Sequence, residues 1–285
     1  MAPLEANAAA CQFETLTVPS TMGPVTVQVQ WANAGGDAAL YLLDGLRASD
    51  LASGWSNTSA PCTFQNDDVT VVMPVGGHGS WYVDWAHPPA ADGRPWHWEM
   101  FLTDELPTFL SRYGISRHRN AVVGVSMGAS AALMLAAYHR EQFLSATALS
   151  GYLDWHSPGG SSTVQSIIAV AGLDPQLLSP LDGLQWDRMD PYSFAPRLHG
   201  LPMHIYAAQG APNTTESSED PLATLGAMAI ESLAYSSTLR FQQRLESLGI
   251  AADYVLPRTG THSWSHWSDA LVAARPFILH SLQGD

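Results

Sequence analysis

The segment Ala121-Val122-Val123-Gly124-Val125-Ser126-Met127-Gly128-Ala129-Ser130 constrains this chain more than any other. It opens on β-branched residues and runs into the helix-forming stretch Ala131 to Ala137. Gly124-x-Ser126-x-Gly128 therefore falls at a strand-to-helix turn, the pattern of a nucleophile elbow. A bare pentapeptide of this kind is common, and its flanks are what make it specific. The glycines answer a steric demand. Ser126 must sit on a strained turn that lifts its hydroxyl above a sheet, and side chains at 124 or 128 would collide with the neighbouring strand and helix. The helix that follows aims its first N–H groups at the point where an oxyanion would form.

The rest of the chain supplies the sheet that such a turn needs. Thr15 to Pro19 and Val25 to Trp31 alternate as strands around the turn Met22-Gly23-Pro24, and Ala38 to Leu43 and Val69 to Pro74 read as buried strands. Trp98, Phe101, Leu102, Leu106, Phe109, Leu110 and Tyr113 share one helical face. Strands at Ser145 to Leu149, Met203 to Ala208 and Asp253 to Leu256 follow, with a long helix at Leu225 to Leu248 and a final one from about His266 to Leu282. Residues 152 to about 200 break this rhythm and read as a helical insertion. Strands alternating with helices give a mostly parallel central sheet with helices on both faces, the first strands excepted as candidates for antiparallel pairing. The fold class expected is α/β, with an α/β-hydrolase layout.

Composition narrows the partners. No linker or charge block divides the 285 residues, of which 46% are hydrophobic, so one domain over 1–285 is expected, with 1–13 an extended N-terminal segment. A formal charge of −14 argues against nucleic acid and against an anionic membrane surface. No apolar run is long enough for a transmembrane segment, and Met1 to Ala10 lack the basic and hydrophobic parts of a signal peptide. The Ala-rich start fits the trimmed front of a secreted protein. All the basic residues are arginine. Cys11 and Cys62 can either pair or remain separate thiols, and the spacing does not decide between them.

In this layout a catalytic triad runs Ser, then Asp or Glu, then His. His262 occupies the last place, in the loop Gly260-Thr261-His262 before the final helix. His266 stands four residues later, but no H-E-x-x-H or third ligand accompanies it, so no metal is expected. For the acid, fold logic favours the loop after Met203 to Ala208, with Glu216, Glu219 or Asp220, while Glu231 stands out within the apolar run Leu225 to Leu233. The chemistry of these residues leaves the choice open. Two junctions compete to supply the second oxyanion donor beside Met127, namely Asp44-Gly45-Leu46 and Gly76-Gly77-His78.

Several segments resemble one family. Tyr41-Leu42-Leu43-Asp44-Gly45-Leu46-Arg47, Met73-Pro74-Val75-Gly76-Gly77, Gly124-Val125-Ser126-Met127, Leu135-Ala136-Ala137-Tyr138 and Gly260-Thr261-His262-Ser263-Trp264 are similar, in order and spacing, to the antigen 85 mycolyltransferases. The resemblance runs from about Glu14 to Leu282. It implies a secreted or cell-envelope α/β-hydrolase-fold enzyme that moves a mycolyl group from trehalose monomycolate to trehalose or to cell-wall polysaccharide. By the same resemblance Ser126 is the nucleophile, Glu231 the acid and His262 the base, with Leu46 and Met127 forming the oxyanion hole. Asp44, Arg47, Asn57, Ser150 and Trp264 match substrate-facing positions. The chain departs from the family where His78-Gly79-Ser80 follow Gly77, where a cysteine pair is missing from His87 to Pro95, and where Ala207 replaces a cysteine. The likeness is weakest over 155 to 185.

The reading is thus a serine acyltransferase working through a Ser126 acyl-enzyme, without a cofactor and with trehalose mycolates and cell-wall glycans as partners. Esterase or diacylglycerol acyltransferase side activity fits the same site. The alternatives are a serine carboxylesterase that uses water as acceptor and a non-catalytic sugar-binding relative. The oligomeric state is left open.

Overall fold

The computed structural model describes residues 12–89, 92–178, 184–212 and 221–283. The N-terminal segment with Cys11, and the loop acids Glu216, Glu219 and Asp220, lie outside the described residues. Strands β1 (Glu14–Val18), β2 (Val25–Gln30), β3 (Ala38–Leu43), β4 (Val69–Pro74), β5 (Asn120–Val125), β6 (Phe143–Leu149), β7 (Met203–Tyr206) and β8 (Asp253–Val255) form one sheet. Its order is β1-β2-β4-β3-β5-β6-β7-β8. β1 pairs antiparallel with β2, and β2 antiparallel with β4, while every pairing from β4 through β8 is parallel. The mostly parallel sheet with antiparallel first strands is thus the observed architecture.

β3, β4 and β5 are buried along their whole length, as expected of parallel strands covered on both faces. Alternate residues sort to the two layers. On one face Tyr41, Leu43, Val122, Ala146 and Ala148 pack with the 98–113 segment, with α3 (Met127–Tyr138), and with Phe241 and Leu245 of α8 (Pro221–Ser247). On the other, Leu40, Leu42, Val123 and Val125 meet Trp55 and Phe64 of two 3-10 turns (Gly54–Asn57 and Ala60–Phe64) and Ala270, Leu271, Ala274 and Ile278 of α9 (Trp264–Leu282). α3 is buried from Met127 to Ala137, held between the sheet and the insertion. That insertion consists of α4 (Gly160–Val170), α5 (Pro175–Leu178), α6 (Leu184–Met189) and α7 (Pro191–Phe194), with a 3-10 turn at Ala195–Leu198.

The segment 98–113 departs from the single regular helix that its periodicity predicts. It comprises α1 (Trp98–Met100), a π-helical turn (Phe101–Glu105), α2 (Leu106–Leu110) and a 3-10 turn (Ser111–Tyr113). Pro107 is the cause. It has no N–H, and in a regular helix its ring would press on the carbonyl four residues back. The turn widens so that the Leu106 N–H donates to the Phe101 carbonyl.

A buried ion cluster ties the insertion to this segment. Glu99 accepts from Arg188 of α6, with one bond at 2.7 Å, and faces the His139 Nε2 at 2.7 Å, while Arg188 lies over the Tyr138 ring at 4.2 Å. Burial pushes the Glu99 carboxyl up, but His139 and Arg188 outweigh it and hold the group below its usual range. Cys62 is disulfide-bonded.

Candidate active site

The elbow has the expected geometry. Ser126 sits at φ 55° and ψ −118° between β5 and α3, and its N–H donates to the Leu149 carbonyl at 2.8 Å. A Cβ at Gly124 would overlap the Gly128 carbonyl, and one at Gly128 would lie 2.5 Å from the Asp44 carbonyl oxygen. Both glycines are therefore required by backbone packed against backbone, with the strand-to-helix turn pressed onto the loop after β3.

His262 lies in the loop between β8 and α9. Its N–H donates to the Ala227 carbonyl of α8 at 3.2 Å, and the loop is anchored where the Gly260 N–H donates to Ala211 at 2.6 Å. The ring packs edge-on against Trp267, with centroids 4.8 Å apart. Its Nε2 lies 2.8 Å from the Ser126 Oγ and its Nδ1 lies 2.8 Å from the Glu231 Oε2. A carboxylate only accepts, so Nδ1 carries the proton and Nε2 is left to accept from the Ser126 hydroxyl.

Glu231 is fully buried on α8. Helical spacing places it with Ala234, Thr238, Phe241 and Leu245 on the face of α8 turned to the protein interior. Its Oε1 accepts from the Ser150 hydroxyl and from the Ala208 N–H, each at 2.8 Å. Those two donors and His262 compensate the burial of the carboxylate without a cationic side chain. The other central acids are engaged elsewhere: Asp154 with Arg240, Asp190 as the cap of α7, and Asp253 with His204.

Of the two candidate oxyanion junctions, the first lies against the elbow. Leu46 lies in the loop that begins after Leu43 of β3, and Gly45 approaches the elbow so closely that a Cβ there would lie 3.3 Å from the Ser126 Cβ. The N–H of Met127 heads α3, and neither it nor the Leu46 N–H has a hydrogen-bond acceptor among the described residues. The Gly76-Gly77-His78 loop acts as a brace instead. Gly76 donates to the Ser49 carbonyl, Gly79 donates to the Leu46 carbonyl, and His78 Nε2 lies 2.9 Å from the Ala171 carbonyl of the insertion.

The expected substrate-facing residues divide. Arg47 and Asn57 are exposed, and Arg47 makes no ion pair among the described residues. Trp264 is half-buried between Trp55 and Trp267, with Gly54 so close that a Cβ there would overlap its ring. Asp44 and Ser150 are buried and hydrogen-bonded within the protein. Asp44 is 1% exposed and accepts from Ser53 Oγ at 2.9 Å and from the Gly54 N–H at 2.8 Å, so its carboxylate faces the 53–54 turn and not open space. Burial pushes that carboxyl up to about 6 against these hydrogen bonds. Ser150 is also 1% exposed, donates to Glu231 and accepts from the Trp267 Nε1 at 3.1 Å.

Sequence reasoning missed Trp267 and the Ala208 N–H, and it named Ser150 without its bonds to Glu231 and Trp267. The one available signal was the place of Ser150 at the carboxyl end of a parallel strand, which marks a site but not a role.

A protein-family model described as putative esterase matches residues 19–278. The chain is 37% identical to the diacylglycerol acyltransferase/mycolyltransferase Ag85B of Mycobacterium avium, over 94% of this chain and 83% of that protein. It is 36% identical to Ag85A of Mycobacterium ulcerans, over 94% of this chain and 81% of that protein. Among solved structures, MPT51 of Mycobacterium tuberculosis superposes with a TM-score of 0.81 at 27% identity, covering 96% of this chain and all of that one. An S-formylglutathione hydrolase from Agrobacterium tumefaciens shares the fold, with a TM-score of 0.70 at 16% identity over 97% of this chain and 98% of that one. With a match of this identity over nearly its whole length, the chain belongs to the antigen 85 family of α/β-hydrolase-fold acyltransferases.

Proposed function

We propose that Ser126, His262 and Glu231 transfer a long acyl group of the mycolyl type from a trehalose monoester to a second sugar hydroxyl, on trehalose or on a cell-wall glycan. The observation that carries this reading is the unbroken Ser126–His262–Glu231 relay at 2.8 Å per link, beside two N–H groups with no acceptor among the described residues. His262 takes the Ser126 proton as Oγ attacks the donor ester carbonyl, and the Leu46 and Met127 N–H groups receive the developing oxyanion. His262 then protonates the departing sugar oxygen, which leaves the acyl group on Ser126. An acceptor hydroxyl enters, gives its proton to His262 and attacks the acyl carbonyl, and Ser126 departs with that proton. Glu231 holds the imidazole in the required tautomer and stabilises its cation.

Acceptor choice falls to the residues beside the oxyanion loop. Arg47 and Asn57 are free to hydrogen-bond sugar hydroxyls, and the exposed part of Trp264 can pack on an apolar sugar face. Release outside the cell, as the family resemblance implies, would bring the enzyme to such acceptors. Water is the competing acceptor, and the match to the esterase model favours hydrolysis as a second activity of the same site.

Incubation with a trehalose monoester separates the readings. Diester formation that is abolished in Ser126→Ala and weakened in Arg47→Ala more than aryl-ester hydrolysis is the expected result. Free acid alone, with no trehalose dependence, assigns the chain to the esterases. Loss of the nucleophile lowers turnover by about a millionfold in a well-studied serine protease, so residual activity near wild type would exclude the covalent route.

A further inference from the structure

A cavity apart from the catalytic triad opens at the β8 edge of the sheet. α9 packs across β5 and β6 and only grazes β7, which leaves a space of about 240 Å³ between the helix and the last two strands. Alternation along the strands puts His204 and Tyr206 of β7 on this face, with Val255 of β8 in register with Tyr206 and Asp253 in register with His204. From α9, His266, Asp269, Ala270 and Ala273 fall at i, i+3, i+4 and i+7 and supply the facing wall. Ser126, Glu231, His262 and Arg47 do not line it. It backs on the loop that carries His262, since a Cβ at Gly260 would lie 3.2 Å from the Tyr206 hydroxyl and 3.4 Å from the His266 Nδ1.

One side chain in this cavity is held as a binding group would be. His204 is 5% exposed, and its Nδ1 lies 2.6 Å from the Asp253 Oδ2. The carboxylate accepts, so Nδ1 carries the proton and Nε2 presents a lone pair. The ring also packs on Phe277, with centroids 5.5 Å apart, so contacts on two sides fix its direction. Asp253 is its only hydrogen-bond partner among the described residues, which leaves Nε2 without a donor. An enclosed acceptor of that kind gains from a ligand that brings one.

The rest of the lining selects the occupant. Val255, Pro257, Ala270 and Ala273 offer an apolar floor, and no arginine lines it. With Asp253 and Asp269 beside it, in a chain of formal charge −14, an anion is disfavoured. A cation would lose water to an apolar floor, and Asp269 is itself exposed, so their pairing would return little. Volume sets the size. An apolar cavity of about 150 Å³ holds benzene, and drug-sized sites start at roughly 300 Å³.

We propose that this cavity binds a compact neutral molecule with one ring and one hydroxyl, a phenol or a cyclic alcohol, whose hydroxyl donates to the His204 Nε2. The acyltransferase reading plays no part in it.

Titration of the intact protein with phenol, followed by the ¹⁵N imidazole resonances and those of the ligand, tests the site. Phenol should saturate it in about the millimolar range and move the His204 Nε2 resonance. Toluene, which keeps the ring and lacks the donor, should bind about three- to tenfold more weakly, and benzoate and benzylamine more weakly than phenol. His204→Phe should bring phenol down to the level of toluene and leave toluene unchanged, a pattern that a general loss of packing would not give. Ala273→Trp, at an exposed position of α9, should fill the cavity and abolish binding of both while aryl-ester hydrolysis continues. Phenol should bind equally well after Ser126 has been esterified by a small organophosphate. No saturable binding, toluene as tight as phenol, a charged analogue tighter than phenol, or an Ala273→Trp variant that binds as the wild type does would each overturn the proposal. Loss of phenol binding on esterification of Ser126 would also overturn it, by placing the phenol in the catalytic cleft.

Discussion

Replacing Ser150 with alanine separates a positioning role from a sugar-binding one. The Ser150 hydroxyl donates to the buried Glu231 carboxylate at 2.8 Å and accepts from Trp267, whose ring packs on His262. Alanine leaves Glu231 Oε1 with the Ala208 N–H alone and leaves the Trp267 N–H without its acceptor. A hydrogen bond to a charged group contributes about 1.5–3 kcal/mol, so if the full loss falls on the transition state kcat/KM drops by roughly tenfold to a hundredfold. Both half-reactions pass through the His262 cation, so the burst of acyl-enzyme formation and the transfer to trehalose should slow by the same factor. KM for trehalose should stay constant. The assay is pre-steady-state release of an aryl alcohol, measured with and without trehalose on one preparation. An unchanged burst together with a raised acceptor KM would refute the argument and return Ser150 to the substrate. Ser150 stands at φ 54°, a conformation that costs an L-residue on the order of 1 kcal/mol or more, so Ser150→Gly should show the same kinetic loss on a more stable chain.

Asp44→Asn should flatten a pH slope. The carboxyl is pushed from its ordinary 3.8 to about 6, so the folded chain holds that proton more tightly than the unfolded one. Stability is then greatest below the lower value and falls as pH rises toward about 6, by about 3 kcal/mol for this group. The difference between the urea midpoints of the wild type and the Asp44→Asn variant should therefore change between pH 4 and pH 7, and a constant difference would clear Asp44. Glu99→Gln leaves Arg188, 27% exposed, without its charge partner, and should lower stability by about 2–3 kcal/mol by thermal or urea unfolding. Because the Glu99 carboxyl is held below its usual range, its contribution is present at neutral pH and is lost as the wild type is acidified through that lowered value. An equal response of variant and wild type to acid would contradict this.

The parts of the molecule that were legible in the sequence are those that local rules determine. The strands around Ala38 to Leu43 and Val69 to Pro74 announce themselves as unbroken apolar runs, and the Ser126 elbow and the His262 loop as short-range patterns that steric need makes specific. The acid was not legible from the residues, because Glu231 sits on a helix and not in the loop where fold logic looks, and its burial depends on the rotation of α8. Its choice came from the family resemblance. The partners of Asp44 and Ser150 escaped for a related reason: which groups a polar side chain at the edge of a site meets depends on residues distant in sequence, here Gly54 and Glu231. The Glu99 cluster escaped because its members, residues 99, 139 and 188, meet only in the folded chain.

Among the described residues four non-glycines hold positive φ: Trp81, Tyr82, Ser126 and Ser150. Ser126 is the elbow, Ser150 holds the acid, the Tyr82 hydroxyl accepts from the Asp44 N–H, and the Trp81 N–H points at the sulfur of Met127. Backbone strain is therefore concentrated in the shell around one hydroxyl, and the scaffold carries it. Selection for thermostability on this chain alone, blind to turnover, should accumulate relaxing substitutions at these positions first, and variants that melt later should also be slower.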